Sequence, residues 1–297
     1  MYREGSNDKE MVKQIQAIVN TTTDGIWGPN TTKAVIRWQG LNNVVADGIV
    51  GPKTLEVMGI LDTDNRKHSY TTEDGLIIEK YFLPKGEYVE NTHKILNDYL
   101  FLHHTAGGSN PYRCIDHWAK DRRGRVATEF VLGGQNVKNN DATYDGTLLQ
   151  AFPEGCQGWH LGGTDSYYMN RHSVGVEICS YGYLSGDHRT YTGVKATLDQ
   201  ISILEEAFRR KKYWHRYSEE QIKVLGQLIL FIANRDSIDI REGLIKWIKD
   251  EGPIKAFEFK EDACAGKIKG LLTHTNVRKG KMDCFPQAEL IDMLLSL

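Results

Sequence analysis

The chain has 297 residues, 40% hydrophobic and 26% charged, the balance of an ordinary globular protein long enough for two domains. Its 37 basic and 39 acidic side chains leave a formal net charge of -2 with no long basic run, which argues against nucleic acid as a partner. No stretch approaches the roughly 18 apolar residues of a membrane span, so no membrane insertion is expected. The five cysteines, odd in number and widely spaced, read as reduced thiols rather than as a disulfide framework.

The opening stretch MYREGSNDKEMVKQIQAIVN has no apolar core flanked by a cleavage site, so the sequence as given is expected to carry no export signal. Val12, Ile15 and Val19 in it share one helical face. DGIWGPNT (24–31) then returns as DGIVGPKT (47–54), a shift of 23 positions. Asp-Gly and Gly-Pro are turn formers, and Pro suits the first turn of a helix, so each copy is expected to be a loop that launches a helix. After the first copy, Ala34, Trp38 and Leu41 share a face. The result is a small three-helix domain over residues 1–62. Two readings of its marked residues stay open: Trp27 is core or a ligand platform, and Asp24 caps its own loop or meets a ligand.

Residues 63–90 break the helical pattern. DTDNRKHSYTTEDG is polar connector, and LIIEKYFLPKGEY, strand-like but interrupted by Pro84 and Gly86, reads as a hairpin or arm. From residue 91 to 297, short apolar strands alternate with helices. The strand candidates are 99–103, 126–132, 147–152, 173–179 and 270–273. Val194, Leu198, Ile201, Glu205 and Phe208 trace a helix. Ser218 and Gln221 form a capping box that opens another through about Asn234, and a last helix runs from Gln287 to Leu297. The expected class is α/β: a mixed central sheet flanked by helices, preceded by the three-helix domain.

Chemistry concentrates in FLHHTAG (101–107) and THTNVRKGKMDCFP (273–286). His103 and His104 cannot both face one site from a regular strand, because successive side chains point to opposite sides. With His274 and Cys284 they offer a His/His/Cys set that could hold zinc with a fourth position open. Glu177 lies on the strand face opposite Val174, Val176 and Ile178; it is either a general base or a solvated or paired sheet carboxylate.

The DGxxGPxT repeat, over about Lys9 to Ile60, resembles the peptidoglycan-binding domain that accompanies many cell-wall hydrolases. That likeness implies Trp27 and Asp24 as substrate contacts. FLHHTAG, SVGVEICSYG and HTNVRKGKMDC, over about Asn91 to Leu297, resemble the zinc amidases that include phage lysozyme-type amidases and peptidoglycan recognition proteins. The likeness implies hydrolysis of the amide between N-acetylmuramic acid and L-alanine. It also implies Zn2+ on His103, His274 and Cys284, Glu177 as general base, and His160 in GWHLGG lining the substrate cleft.

The chain departs from the family's pattern in two places. Thr128 and Glu129 occupy slots where the family often has Tyr and His, so Thr128 is expected beside the substrate and Glu129 is expected to share acid-base work. Lys281 stands three residues before Cys284 rather than two, yet remains the candidate for oxyanion stabilisation. Bacterial peptidoglycan is the implied partner and a monomer the implied state. A phage endolysin, held in the host cytoplasm until lysis, is the implied setting. A non-catalytic peptidoglycan sensor and a zinc peptidase trimming the stem peptide are the alternatives; the presence of Cys284 argues against the first, and the lack of a His-Asp motif against the second.

Overall fold

The computed structural model describes residues 2–6, 8–59, 68–91, 93, 95–162 and 166–297, which fall into two compact units, Met1–His68 and Ser69–Leu297. The expected boundary between 62 and 63 lies outside the described residues.

The first unit has three helices, α1 (Lys9–Ile18), α2 (Pro29–Leu41) and α3 (Pro52–Val57). Pro29 sits at the start of α2, where its missing N–H costs no hydrogen bond. Val12, Ile15 and Val19 are buried together with Trp27, Val35, Val50 and Leu55. The buried face of α2 is Thr31, Val35 and Gln39; of the expected Ala34, Trp38 and Leu41, the first two are partly buried against the same core and Leu41 is 75% exposed. The reason is polar. Gln16 on α1 donates through Nε2 to Asp24 Oδ1 (2.8 Å), the Ile26 carbonyl (3.0 Å) and Thr31 Oγ1 (3.1 Å), while its Oε1 accepts from Gly25 N (2.8 Å). Gln39, 23 residues on, does the same to Asp47 (3.1 Å), Ile49 (3.0 Å), Thr54 (3.3 Å) and Gly48 N (2.9 Å). Each glutamine satisfies a loop that would otherwise leave polar groups buried without partners.

The second unit contains a seven-stranded sheet. In chain order its elements are β1 (His68–Thr71), β2 (Ile77–Lys80), β3 (Tyr99–His104), α4 (Pro111–Trp118), β4 (Phe130–Leu132), β5 (Leu148–Gln150), α5 (Tyr167–Arg171) and β6 (Ser173–Ile178). There follow a separate hairpin of β7 (Ile201–Phe208) and β8 (Lys211–His215), then α6 (Glu219–Asp236), α7 (Leu244–Glu251), α8 (Pro253–Ala256), α9 (Glu261–Cys264), β9 (Gly270–Thr273), α10 (His274–Val277) and α11 (Ala288–Ser296). The sheet order is β1-β2-β5-β4-β6-β3-β9, parallel throughout its centre except where β5 runs against β4. The expected arm thus supplies β2, while the edge strand β1 falls in the stretch expected to be polar connector.

Alternation along β3 and β6 sorts the core. Leu100, Leu102, Val174, Val176 and Ile178 join one cluster with Leu225, Leu228, Ile229 and Ile232 of α6. Each such side chain contributes about 1.5–3 kcal/mol on burial. Tyr99 and Phe101 pack in a different cluster, with Leu161 and Leu272. His103 and Glu177 are direct neighbours across the β3/β6 register, so both follow the second set of side chains. Helix α6 starts at the expected capping box of Ser218 and Gln221.

One expected helix is absent. Residues 201–208 form β7, in which Ile201, Leu204 and Phe208 are buried. An irregularity in the β7/β8 register between Ile203 and Phe208 resets the strand's alternation, so its buried positions fall at helix-like spacing.

Candidate metal centre

The centre lies at the carboxyl ends of the central parallel strands, where open α/β sheets characteristically hold ligands. His103 and Glu177 each precede the last residue of their strands, β3 and β6, and His274 follows β9 at the start of α10. A capping box fixes that start: Asn276 Oδ1 accepts from Thr273 N and Oγ1, both at 2.9 Å, and Asn276 Nδ2 donates to the carbonyls of Ala256 and Glu258. His274 therefore leaves a short, well-tied helix.

His103 Nδ1 and His274 Nδ1 are 3.0 Å apart, and Asp283 Oδ2 lies 3.3 Å from the first and 3.0 Å from the second. A tetrahedral ion with bonds of about 2.0–2.1 Å separates its ligands by roughly 3.3 Å, so this triangle has the size of a zinc ligand set. The chemistry fits as well. His274 Nε2 is 3.1 Å from the Leu161 carbonyl, which can only accept, so the ring donates there and leaves Nδ1 bare. His103 Nε2 meets His160 Nδ1 at 2.9 Å, and His160 Nε2 meets Ser173 Oγ at 2.8 Å. Donation along that row likewise frees His103 Nδ1.

Cys284 does not take the place expected of it. Its thiol is fully buried in the core with Phe285 and Tyr217, hydrogen-bonded to the Tyr217 hydroxyl, and burial pushes it well up from the ordinary thiol range. Asp283, one residue earlier, turns to the two histidines instead. Adjacent side chains here part to opposite sides of the site wall. The change of ligand restores a spacing: Lys281 stands two residues before Asp283, as the family pattern has it. His104 goes the other way from His103, placing Nδ1 2.8 Å from Tyr217 Oη.

Burial, followed by the charge of His274, holds the His103 imidazole down to about 4, in the neutral form a metal requires. Burial alone would raise the Asp283 carboxyl, but the His103 and His274 rings against it outweigh burial and hold it well below the usual carboxylate range. Glu177 is pushed well above the usual carboxylate range, chiefly by burial and then by Asp283, with Lys281 opposing. Glu177 and Lys281 line a cavity of about 410 Å³ with His103, His274 and Asp283. A second cavity of about 530 Å³, lined by Trp118, Tyr181 and Arg113, also reaches Glu177.

Other expected residues are placed as follows. His160 lines the first cavity with its Nδ1 against His103 Nε2. Gly175 permits this, because a Cβ there would lie 2.7 Å from Thr128 Cγ2 and 3.2 Å from His160 Cγ. Thr128 lines the same cavity, but its hydroxyl donates to the Phe130 carbonyl at 2.9 Å and is not free to replace a tyrosine. Glu129 is withdrawn from any acid-base role. Arg235 grips both its oxygens, at 2.6 and 3.0 Å, and Gln150 donates to it at 3.0 Å. Trp27 is 5% exposed in the core of the first unit, its Nε1 donating to Thr32 Oγ1 at 3.0 Å, so it is no ligand platform. Asp24 caps its loop by accepting from Ile26 N at 2.8 Å and from Gln16, as the loop reading has it.

Comparison with known families now decides the class. Residues 91–251, more than half of the chain, match the N-acetylmuramoyl-L-alanine amidase family, and residues 5–58 match the putative peptidoglycan binding domain. The chain belongs to the N-acetylmuramoyl-L-alanine amidase family. It is a peptidoglycan hydrolase, with peptidoglycan as its substrate and the cell wall as its place of action. The matched amidase segment includes His103 and Glu177 but ends before His274 and Asp283, which geometry alone adds. Among solved structures the chain is similar to PlyL (13% identity, 68% of this chain and 82% of that one, TM-score 0.37). It is also similar to the amidase LysC from Clostridium intestinale (15%, 69% and 93%, 0.37) and to the E. coli amidase AmiD in complex with a substrate (17%, 58% and 54%, 0.31). No curated protein matches. No helix among the described residues is long and apolar enough to cross a membrane.

Proposed function

We propose that this amidase is zinc-dependent, with His103 Nδ1, His274 Nδ1 and Asp283 as its ligands and Glu177 as its general acid-base. The observation that carries the reading is the triangle of three buried donor atoms at 3.0–3.3 Å in one cavity with the half-buried Glu177 carboxylate. Two neutral imidazoles and one carboxylate leave about one positive charge on a divalent ion, and a His/His/carboxylate set with an open position is a catalytic rather than a closed structural type. Zinc in such a site supplies Lewis acidity and an activated water.

The rest is the work of side chains. Glu177, with its affinity for a proton raised by burial, accepts one from the attacking water and returns it to the departing amide nitrogen. Lys281, on the wall of the same cavity, faces the negative charge that develops on the carbonyl oxygen. The two cavities that meet at Glu177 leave room for substrate on either side of the scissile bond. All three ligands come from one chain, which supports action as a monomer. A non-catalytic sensor does not need the complete donor set that Asp283 provides. The lytic, endolysin-type setting follows from the pairing of this chemistry with a wall-binding unit.

Digestion of purified sacculi followed by mass spectrometry tests the assignment. The intact chain should release stem peptides with a free L-alanine amine. Asp283→Asn should lose bound zinc and activity by about a thousandfold or more, whereas Cys284→Ser should keep its metal and most of its rate. The opposite ranking removes Asp283 from the ligand set.

A further inference from the structure

The β7/β8 hairpin closes through a two-residue turn, Arg209 and Arg210, between the paired Phe208 and Lys211. Both turn residues are left-handed, at φ 49° and 65°. Such a turn favours Asn-Gly, and the left-handed region is unfavourable for a long L side chain. Arginine at both positions therefore calls for a reason outside the hairpin.

Arg209 has one. Its guanidinium, only 10% exposed, donates from Nη1 to the carbonyls of Lys279 (2.7 Å) and Lys281, and from Nη2 to that of Thr275 (3.3 Å). Nη2 is also 3.3 Å from Glu258 Oε2. All three carbonyls belong to the segment between His274 and Asp283. Thr275 adjoins His274, and Lys281 brings a cation to the cavity wall. A planar fork with five donors can span three diverging carbonyls at once, whereas an ammonium on a flexible stem cannot hold them in one plane. The cost is a buried Arg209 Nε with no partner among the described residues.

We infer that Arg209 is a positioning residue for the loop that carries Lys281 and Asp283: the hairpin reaches across and fixes that loop's backbone so that both side chains face His103, His274 and Glu177. The inference rests on the reading of His103, His274 and Asp283 as metal ligands.

The test uses the full chain with Arg209→Ala, Arg209→Lys and the double change Arg209→Asn with Arg210→Gly. Zinc affinity is measured by competition with a chromogenic chelator, kcat and KM separately on sacculi, and melting temperature on metal-free protein. Zinc affinity should fall roughly tenfold or more in all three, in the range seen when groups behind a ligand are removed. The loss in rate should appear in kcat with KM near the parent's. The double variant should melt at or above the parent temperature, because Asn-Gly suits the turn. Parental zinc affinity and kcat in the double variant overturn the inference, and so does a loss of both that tracks melting temperature across the three variants. A parent chain that takes up no zinc overturns the metal-site reading itself, and this inference with it.

Discussion

The two units solve the same problem, satisfying buried polar groups, at opposite ranges along the chain. In the first, each glutamine reaches partners 8 to 15 residues away, and the arrangement is written twice at a fixed interval. In the second, the two histidines that face each other are 171 residues apart, one on β3 and one just beyond the end of β9, strands laid side by side by the sheet. A local network is specified by spacing and can be read as a repeat. A long-range one is specified by strand register, so a single residue's difference in which side chain turns inward changes the ligand.

The sharpest way to break this contrast is at Glu177, whose role depends wholly on the β3/β6 register with His103. Glu177→Gln keeps size and hydrogen bonding but removes the proton acceptor. It should lower kcat by about 10²–10⁴ while zinc stoichiometry, measured by atomic emission, stays at the parent's value. Loss of metal together with activity would show that Glu177 supports the ligands rather than the proton transfer.

The sequence makes the strands legible for the same reason that it points to Cys284 where the proposed ligand set has Asp283. Apolar alternation places β3, β6 and β9 within a residue or so of their observed ends, and it shows that His103 and His104 diverge. It cannot show which of two adjacent residues at the end of a long loop enters the site, and Asp283 and Cys284 were separable only once the core claimed the thiol against Tyr217 and Phe285. A clue was present in Lys281, whose distance from the last ligand is regular for Asp283 and irregular for Cys284. Glu129 was misassigned because its partner Arg235 lies 106 residues away on α6. In the first unit the repeat was visible, but its glutamines were not recognised as part of it, although Gln16 and Gln39 obey the same interval as the loops.

Acid offers a second contrast, since the long-range unit buries histidines and the repeat has none. His215 is fully buried and its Nδ1 accepts from Tyr181 N at 3.2 Å, so the neutral ring is built into the structure. Burial holds it down to about 4. Between about 6.5 and 4 the unfolded chain binds a proton at this position that the folded chain refuses, so stability is complete above that window and is lost as pH falls through it. The shift corresponds to about 3 kcal/mol at most. Denaturant midpoints of the second unit should therefore fall between pH 7 and pH 4.5. His215→Gln should flatten that slope; an unchanged slope would assign it to other groups.

The smallest effect is expected where the repeat predicts equality. Gln16→Ala and Gln39→Ala each strip one loop of its amide, leaving Gly25 or Gly48 N–H and a buried threonine hydroxyl without that partner. Each should cost the first unit about 1–3 kcal/mol in chemical denaturation. The two values should agree within about 0.5 kcal/mol if the copies are energetically as well as geometrically alike, and because the sites share no polar partner the double variant should be near the sum. The neighbouring core is the one evident asymmetry, Trp27 in the first loop against Val50 in the second, both buried. A markedly larger loss at Gln16 would mean that the Trp27 side couples the loop to the core in a way the hydrogen bonds alone do not, and that identical spacing had produced unequal halves.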